Sequence, residues 1–212
     1  KKATKKEIQE IKKRFLERYS DAVTELTYKN AYELVISVAL SAQCTDKRVN
    51  LITPALFEKY PSPKALAQAD IGDIKKLINS CSFFNNKAKN LLAMAKRLEE
   101  IYDGEIPMNE KDLQTLAGVG QKTAHVVLIE YTGANLMAVD THVFRVAHRL
   151  GLSDDKTAKA TEATLVKKFK TDLHVLHQAM VLFGRYICTA KNPKCDECFL
   201  TEFCKTKESF KV

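Results

Sequence analysis

The chain has 212 residues, 45% of them hydrophobic and 28% charged, with 34 Lys and Arg against 26 Asp and Glu for a formal net charge of +8. That length can bury a core without disulfides, and no apolar run approaches the about 20 residues that a membrane-spanning helix requires. The basic excess points to a polyanionic partner, nucleic acid or a membrane surface, without choosing between them.

The chain begins at Lys1 with no initiator Met, which suggests a trimmed native terminus. Its first fourteen residues hold seven basic and two acidic side chains, with Ile8, Ile11 and Phe15 at helical spacing among them. This predicts an amphipathic helix rather than a signal peptide, and an intracellular protein. Helical spacing continues almost throughout, and sustained alternation is absent, so the expected fold class is all-α. Helices are predicted over 5–19, 31–43, 46–58, 71–80, 86–102, 110–116, 121–132, 142–150, 156–169 and 173–186. The stretch Ala31 to Ala42, broken by Glu33 and Ser37, reads as a buried helix. Ser62-Pro63 suits a helix start, Asp103-Gly104 a stop, and Asn109 a cap.

Between Asp112 and Tyr131, two helices are joined by Ala117-Gly118-Val119-Gly120, a turn too tight for anything but a hairpin. Its glycines allow unusual backbone angles and close approach by a ligand's backbone. The helix after it presents free N–H groups and a positive dipole end, which suit a phosphate. Lys122 sits in that first turn, where the dipole opposes a positive charge. An ordinary lysine amine, pKa about 10.4, is neutral in only about one molecule in a few thousand at pH 7, and only the neutral form is a nucleophile. From the residues alone Lys122 is either a reactive amine or a solvated phosphate contact. Asp140 opens a later helix in Val139-Asp140-Thr141-His142; a cap is the bland reading, and a rigidly held carboxylate also suits stabilising positive charge on a sugar.

After Tyr186 the helical pattern fails. Cys188, Cys195, Cys198 and Cys204 lie within seventeen residues, separated by gaps of six, two and five. Loops so small cannot fold by apolar burial, and four thiolates can surround one metal centre. Disulfides are disfavoured in an intracellular chain, whereas zinc and iron–sulfur both remain open. Cys44 and Cys81 read as buried free thiols.

Taken together, LSAQCTD (Leu40 to Asp46), FFNNKA (Phe83 to Ala88), LAGVGQKTA, AVDTHVFRV, GRYIC and the cysteine spacing resemble the endonuclease III family of helix-hairpin-helix DNA glycosylases, over nearly the whole chain. The resemblance implies a two-lobed fold. A helical barrel domain is expected over 24–134, with the helix-hairpin-helix at about 110–132. A cluster domain is expected from 1–23 plus 135–212, with its iron–sulfur loop at 188–204. It implies one [4Fe-4S] cluster on Cys188, Cys195, Cys198 and Cys204. It also implies a bifunctional glycosylase and abasic-site lyase of base excision repair acting on oxidised pyrimidines. Lys122 would attack C1′ and Asp140 would assist; Gln43 and Phe83 would enter the duplex. Gly118, Val119, Gly120, Gln121, His142, Lys191 and Lys194 would contact DNA. The implied partner is damaged double-stranded DNA, met by a monomer with no obligate protein partner and no membrane, in the cytoplasm or nucleoid if the source is bacterial. Ala117, Gln121 and Ser82 stand where the family often has proline, arginine and glycine, and His125 where asparagine is common. A monofunctional relative that uses water is disfavoured by Lys122; a DNA-binding module without catalysis is the alternative from another class.

Overall fold

Eleven α-helices and no strand occur among residues 1–206, which the computed structural model of the protein describes. They are α1 (Lys5–Arg18), α2 (Ala31–Ser41), α3 (Asp46–Lys59), α4 (Pro63–Ala67), α5 (Ile71–Ile78), α6 (Phe84–Tyr102), α7 (Glu110–Leu113), α8 (Gln121–Thr132), α9 (Thr141–Arg149), α10 (Ala158–Phe169) and α11 (Leu173–Tyr186). Their contacts divide the chain into residues 24–132 and residues 1–23 with those from Gly133 onward. Residues 207–212 of the expected cluster domain lie outside the described residues.

Three of the departures from the periodicity have local causes. The α2 helix stops at Ser41, short of the predicted residue 43, because Gln43 takes a left-handed backbone (φ 52°) that no helix continues through. The α7 helix is a single turn, since Val119 N–H donates to Leu116 O at 3.1 Å and closes the hairpin there. Pro63–Ala67, expected only as a start, is a five-residue helix with Pro63 in its first turn and Ser62 Oγ accepting from Ala65 N–H at 3.2 Å.

In the unit 24–132, α2 is buried on nearly every side, with α3, α6 and α8 packed around it. Leu34, Val35, Ile36 and Leu40 are at most 1% exposed, so the apolar run is explained by a central position. Its one acid is satisfied locally: Glu33 Oε2 accepts from Lys29 N–H at 2.8 Å while Asn30 Oδ1 accepts from Glu33 N–H at 2.9 Å. The two ends of this unit meet, Thr24 N–H donating to Glu130 Oε2 at 3.2 Å. Burial pushes the Glu130 carboxyl up to about 7, against that bond.

In the other unit α1, α9, α10 and α11 enclose Ile11, Phe15, Val143, Val146, Leu165, Leu176, Met180 and Phe183. Phe15, Phe183 and Phe199 meet edge to face, with centroids 5.3–5.8 Å apart, which draws the cysteine tail onto α1 and α11. From α1, Arg14 donates to Phe199 O (2.8 Å), pairs with Glu202 (2.6 Å) and covers the Phe203 ring. Lys205 closes the clasp, its N–H on Arg149 O at 2.7 Å and its Nζ on Glu7 at 2.6 Å. Gly184 lets α11 approach α9, for a Cβ there would stand 2.9 Å from His142 Cβ.

Candidate active site and cysteine centre

The hairpin is anchored before it is exposed. Thr115 Oγ1 accepts from Arg97 Nε (3.0 Å), is 3.0 Å from the Tyr102 hydroxyl and donates to Asp112 O, so α6 holds the turn. Across the turn His125, buried in α8, brings Nε2 to 3.0 Å from Glu110 Oε2 on α7. Gly118 has φ +80°, and a Cβ there would lie 3.2 Å from Asn90 Cβ, so the close approach made at this glycine is to α6. At Gly120 the space is open, with nothing within 4 Å of a Cβ position. Val119 has its side chain buried and its N–H used inside the hairpin, which leaves only its carbonyl to meet a ligand. Gly120 O accepts from Ala124 N–H at 2.9 Å and so caps α8; the first turn of α8 holds no acid, and Lys122 on it is exposed. Gln121, half-buried, precedes it. A helix start whose first turn carries no acidic side chain suits a phosphate.

In the same unit Gln43, Phe83 and Gly118 line one cavity with Asn86, Lys87 and Asn90. Gln43 and Phe83 both have left-handed backbones, φ 52° and 56°, a conformation costing non-glycine residues about 1–3 kcal/mol. Phe83 is 62% exposed, so this aromatic is not core. Lys87, quoted in FFNNKA without a role, is what organises the cavity. Its Nζ donates to Leu40 O at 2.8 Å and Ala42 O at 2.6 Å, satisfying the carbonyls at the end of α2 and pinning the Gln43 turn.

In the other unit Asp140 caps α9, Oδ1 accepting from Val143 N–H at 2.8 Å. The segment leading to it is fixed by Ala138 O, 2.8 Å from His177 Nδ1. His142 in the first turn stands 3.1 Å from Arg145 Nη2. Further along α9, Arg145 donates to Cys188 O (2.9 Å) and Gly184 O (2.6 Å), and Arg149 to Thr189 O (2.7 Å), Ala190 O (3.1 Å) and Cys188 Sγ (3.3 Å). Thus one helix carries Asp140 at its start and grips the cysteine loop at its end. The sequence reasoning missed both arginines; their i, i+4 spacing in Arg145-Val146-Ala147-His148-Arg149 was the available signal.

Cys188, Cys195, Cys198 and Cys204 line the walls of one cavity with Leu150, Phe183 and Ile187. Two 3-10 turns, Cys195–Glu197 and Thr201–Phe203, shape the loop, and Thr201 Oγ1 donates to Cys195 O and Cys198 O at 3.0 and 2.8 Å. Burial pushes the Cys188 thiol up while Arg149 pulls it back. Among the described residues no three His, Cys, Asp or Glu side chains close on one ion point. Four thiols around an apolar-walled space, one of them receiving an N–H bond, fit a polynuclear iron–sulfur cluster better than a lone tetrahedral zinc. Lys191 and Lys194 are exposed on this loop, Lys194 3.9 Å from Glu197.

Residues 36–171 match the HhH-GPD superfamily of base excision DNA repair proteins, and residues 188–204 match the iron–sulfur binding domain of endonuclease III. Endonuclease III of Rickettsia conorii is 46% identical over 182 residues, which cover 85% of this chain and 87% of that protein. The chain belongs to the endonuclease III family. Endonuclease III of Bacillus subtilis is 42% identical over 88% of this chain and 86% of its own length. A solved endonuclease III–DNA complex, trapped as a covalent intermediate with an estranged adenine, superposes with a TM-score of 0.93 at 38% identity over 98% of each chain. A thermostable thymine-DNA glycosylase shares the fold, TM-score 0.84 at 23% identity, covering 96% of this chain and 98% of its own. This family member is an all-α helix-hairpin-helix DNA glycosylase of base excision repair with one [4Fe-4S] cluster. No described helix is long and apolar enough to cross a membrane.

Proposed function

We propose that this endonuclease III excises oxidised pyrimidines from damaged double-stranded DNA and then cleaves the strand 3′ to the abasic site, with Lys122 as nucleophile. The observation that carries the reading is an exposed lysine in the first turn of α8, beside an open Gly120 and helix-start amides free of acidic neighbours. That arrangement seats a phosphate next to an amine, and the related endonuclease III was caught covalently joined to DNA.

The neutral Lys122 amine attacks C1′, the N-glycosidic bond breaks, and the base leaves with the bond's electrons. The attached nitrogen loses a proton and its lone pair opens the sugar at C1′–O4′, O4′ taking up a proton; the protonated imine so formed acidifies the C2′ proton, whose loss breaks C3′–O3′ and expels the 3′ phosphate by β-elimination. Asp140, fixed by its cap bond, takes a proton from Lys122 and stabilises positive charge on the sugar. Extrusion of the damaged nucleotide leaves a gap that Gln43 and Phe83 fill from their left-handed turns. Gly118, Gly120, Gln121 and the Val119 carbonyl track the phosphates on one side, and His142, Lys191 and Lys194 add contacts from the second unit. Cys188, Cys195, Cys198 and Cys204 hold the cluster, which when bound cross-links the loop that presents those lysines. The barrel domain is residues 24–134 and the cluster domain 1–23 with 135–212. An intracellular monomer without an obligate protein partner completes the reading, supported by the +8 charge suited to DNA.

Borohydride trapping on thymine-glycol DNA tests it. The holoenzyme is expected to cross-link and Lys122→Ala to give none while keeping its cluster. Trapping that persists in Lys122→Ala removes Lys122 as nucleophile.

A further inference from the structure

Two cysteines outside the metal tail are neighbours in the unit 24–132. Cys44 closes the turn after α2, its N–H donating to Ser41 O at 3.1 Å; Cys81 closes the turn after α5, its N–H on Ile78 O at 2.9 Å. The Cys81 thiol donates to Leu40 O at 3.3 Å, and Cys44, four residues on from Leu40, is near enough to help push the Cys81 thiol up. Lys87 Nζ, 3.5 Å from Cys81 Sγ, also binds Leu40 O and Ala42 O, so a single ammonium joins the backbone of one turn to the thiol of the other. Both thiols are free in the structure.

We propose that Cys44 and Cys81 form a reversible disulfide that staples the Gln43 turn to the Phe83 turn. The oxidant is a small-molecule disulfide of the glutathione class. Cys44, half-exposed, loses its proton and attacks one sulfur of the oxidant; the oxidant's S–S bond breaks and one thiolate leaves. Cys81, 2% exposed and closed to the oxidant itself, then attacks Cys44 Sγ, the mixed disulfide breaks, and the second thiolate leaves. The two protein thiols give up two electrons and two protons, and the oxidant becomes two thiols. Burial pushes the Cys81 thiol up to about 11, with Lys87 opposing, so Cys81 stays protected until Cys44 carries a leaving group beside it. Lys87 stabilises the Cys81 thiolate as it forms. Reduction by a monothiol in excess reverses both steps.

The staple acts one residue from Gln43 and two from Phe83. Its effect on DNA rests on the reading that those two side chains enter the duplex, because a cross-link fixes their separation at the free-protein value. The experiment equilibrates holoenzyme with oxidised and reduced glutathione, follows cluster absorbance, maps disulfides by mass spectrometry, and measures binding to a duplex with an uncleavable abasic analogue. A Cys44–Cys81 cross-linked peptide should appear with the cluster intact, and affinity should fall about tenfold and return on reduction, a coupling of ordinary switch size. Cys44→Ser should bind DNA like reduced protein and ignore the oxidant. Both thiols alkylating when the oxidant-treated protein is denatured in alkylating reagent, or Cys44→Ser losing affinity as the parent does, overturns the staple. A cross-link that forms without changing affinity upholds the staple and instead overturns the insertion of Gln43 and Phe83.

Discussion

Residues 24–132 keep their shape by burying apolar side chains around α2, whereas the loop from Ile187 to Lys205 has few such side chains and depends on bonds reaching it from elsewhere. In the first region polar contacts aim turns that packing already holds, as Lys87 aims the Gln43 turn. In the second, Arg14 and Arg149 bond the loop from α1 and α9, and Phe199 packs it on Phe15 and Phe183. Failure should therefore be graded in the first region and abrupt in the second.

The largest effect should come from removing iron. A structural metal contributes on the order of 10 kcal/mol to the element it organises. After chelation under anaerobic conditions, hydrogen exchange should accelerate across 188–206 while α2 and α6 keep their protection. Equal loss in both would erase the contrast. Next, Phe183→Ala, which empties the aromatic cluster under the loop, should cost about 3–5 kcal/mol in denaturant unfolding and hasten iron loss. Leu34→Ala in α2 should cost about 2–5 kcal/mol with no change in iron retention.

The hairpin glycines give a smaller and sharper test. Gly118→Ala meets both a left-handed backbone and Asn90, and should lose about 1–2 kcal/mol of stability. Gly120→Ala enters open space, so its melting temperature should hold while affinity for an abasic duplex falls. Matching stability losses at the two positions would mean that Gly120 is also structural. The last test concerns pH. The folded-state value of Glu130 is about 7, above its ordinary 4.5, so its contribution is full below the unfolded value and lost as pH rises through 7. Glu130→Gln should match the parent at pH 4 to 5 and melt higher at pH 8; parallel melting curves across that range would contradict a buried, protonated carboxyl.

The contrast also governs how much the sequence discloses. Helices of the apolar region follow from spacing, and α2 is legible as buried because its run of Leu, Val and Ile has only Glu33 and Ser37 in it. Asp140 is legible as a cap and Lys122 as a first-turn amine, since both depend on local position. What spacing cannot carry is a backbone angle or a distant meeting. Gln43 and Phe83 are left-handed although neither is glycine, and α2 consequently ends before its apolar pattern does. Arg149 reaches Cys188 across thirty-nine residues and Cys81 meets Leu40 across forty-one, encounters set by packing and unmarked by any motif.

The bond from Thr24 N–H to Glu130 Oε2 brings the first residue of the 24–132 unit against its last helix. A segment whose ends already touch is a cassette: chain can enter and leave it at one place without threading through the host. Residues 24–132 are thus portable in principle, expressible alone or joined end to end into a permuted chain, and the surrounding sequence could have acquired them in one insertion.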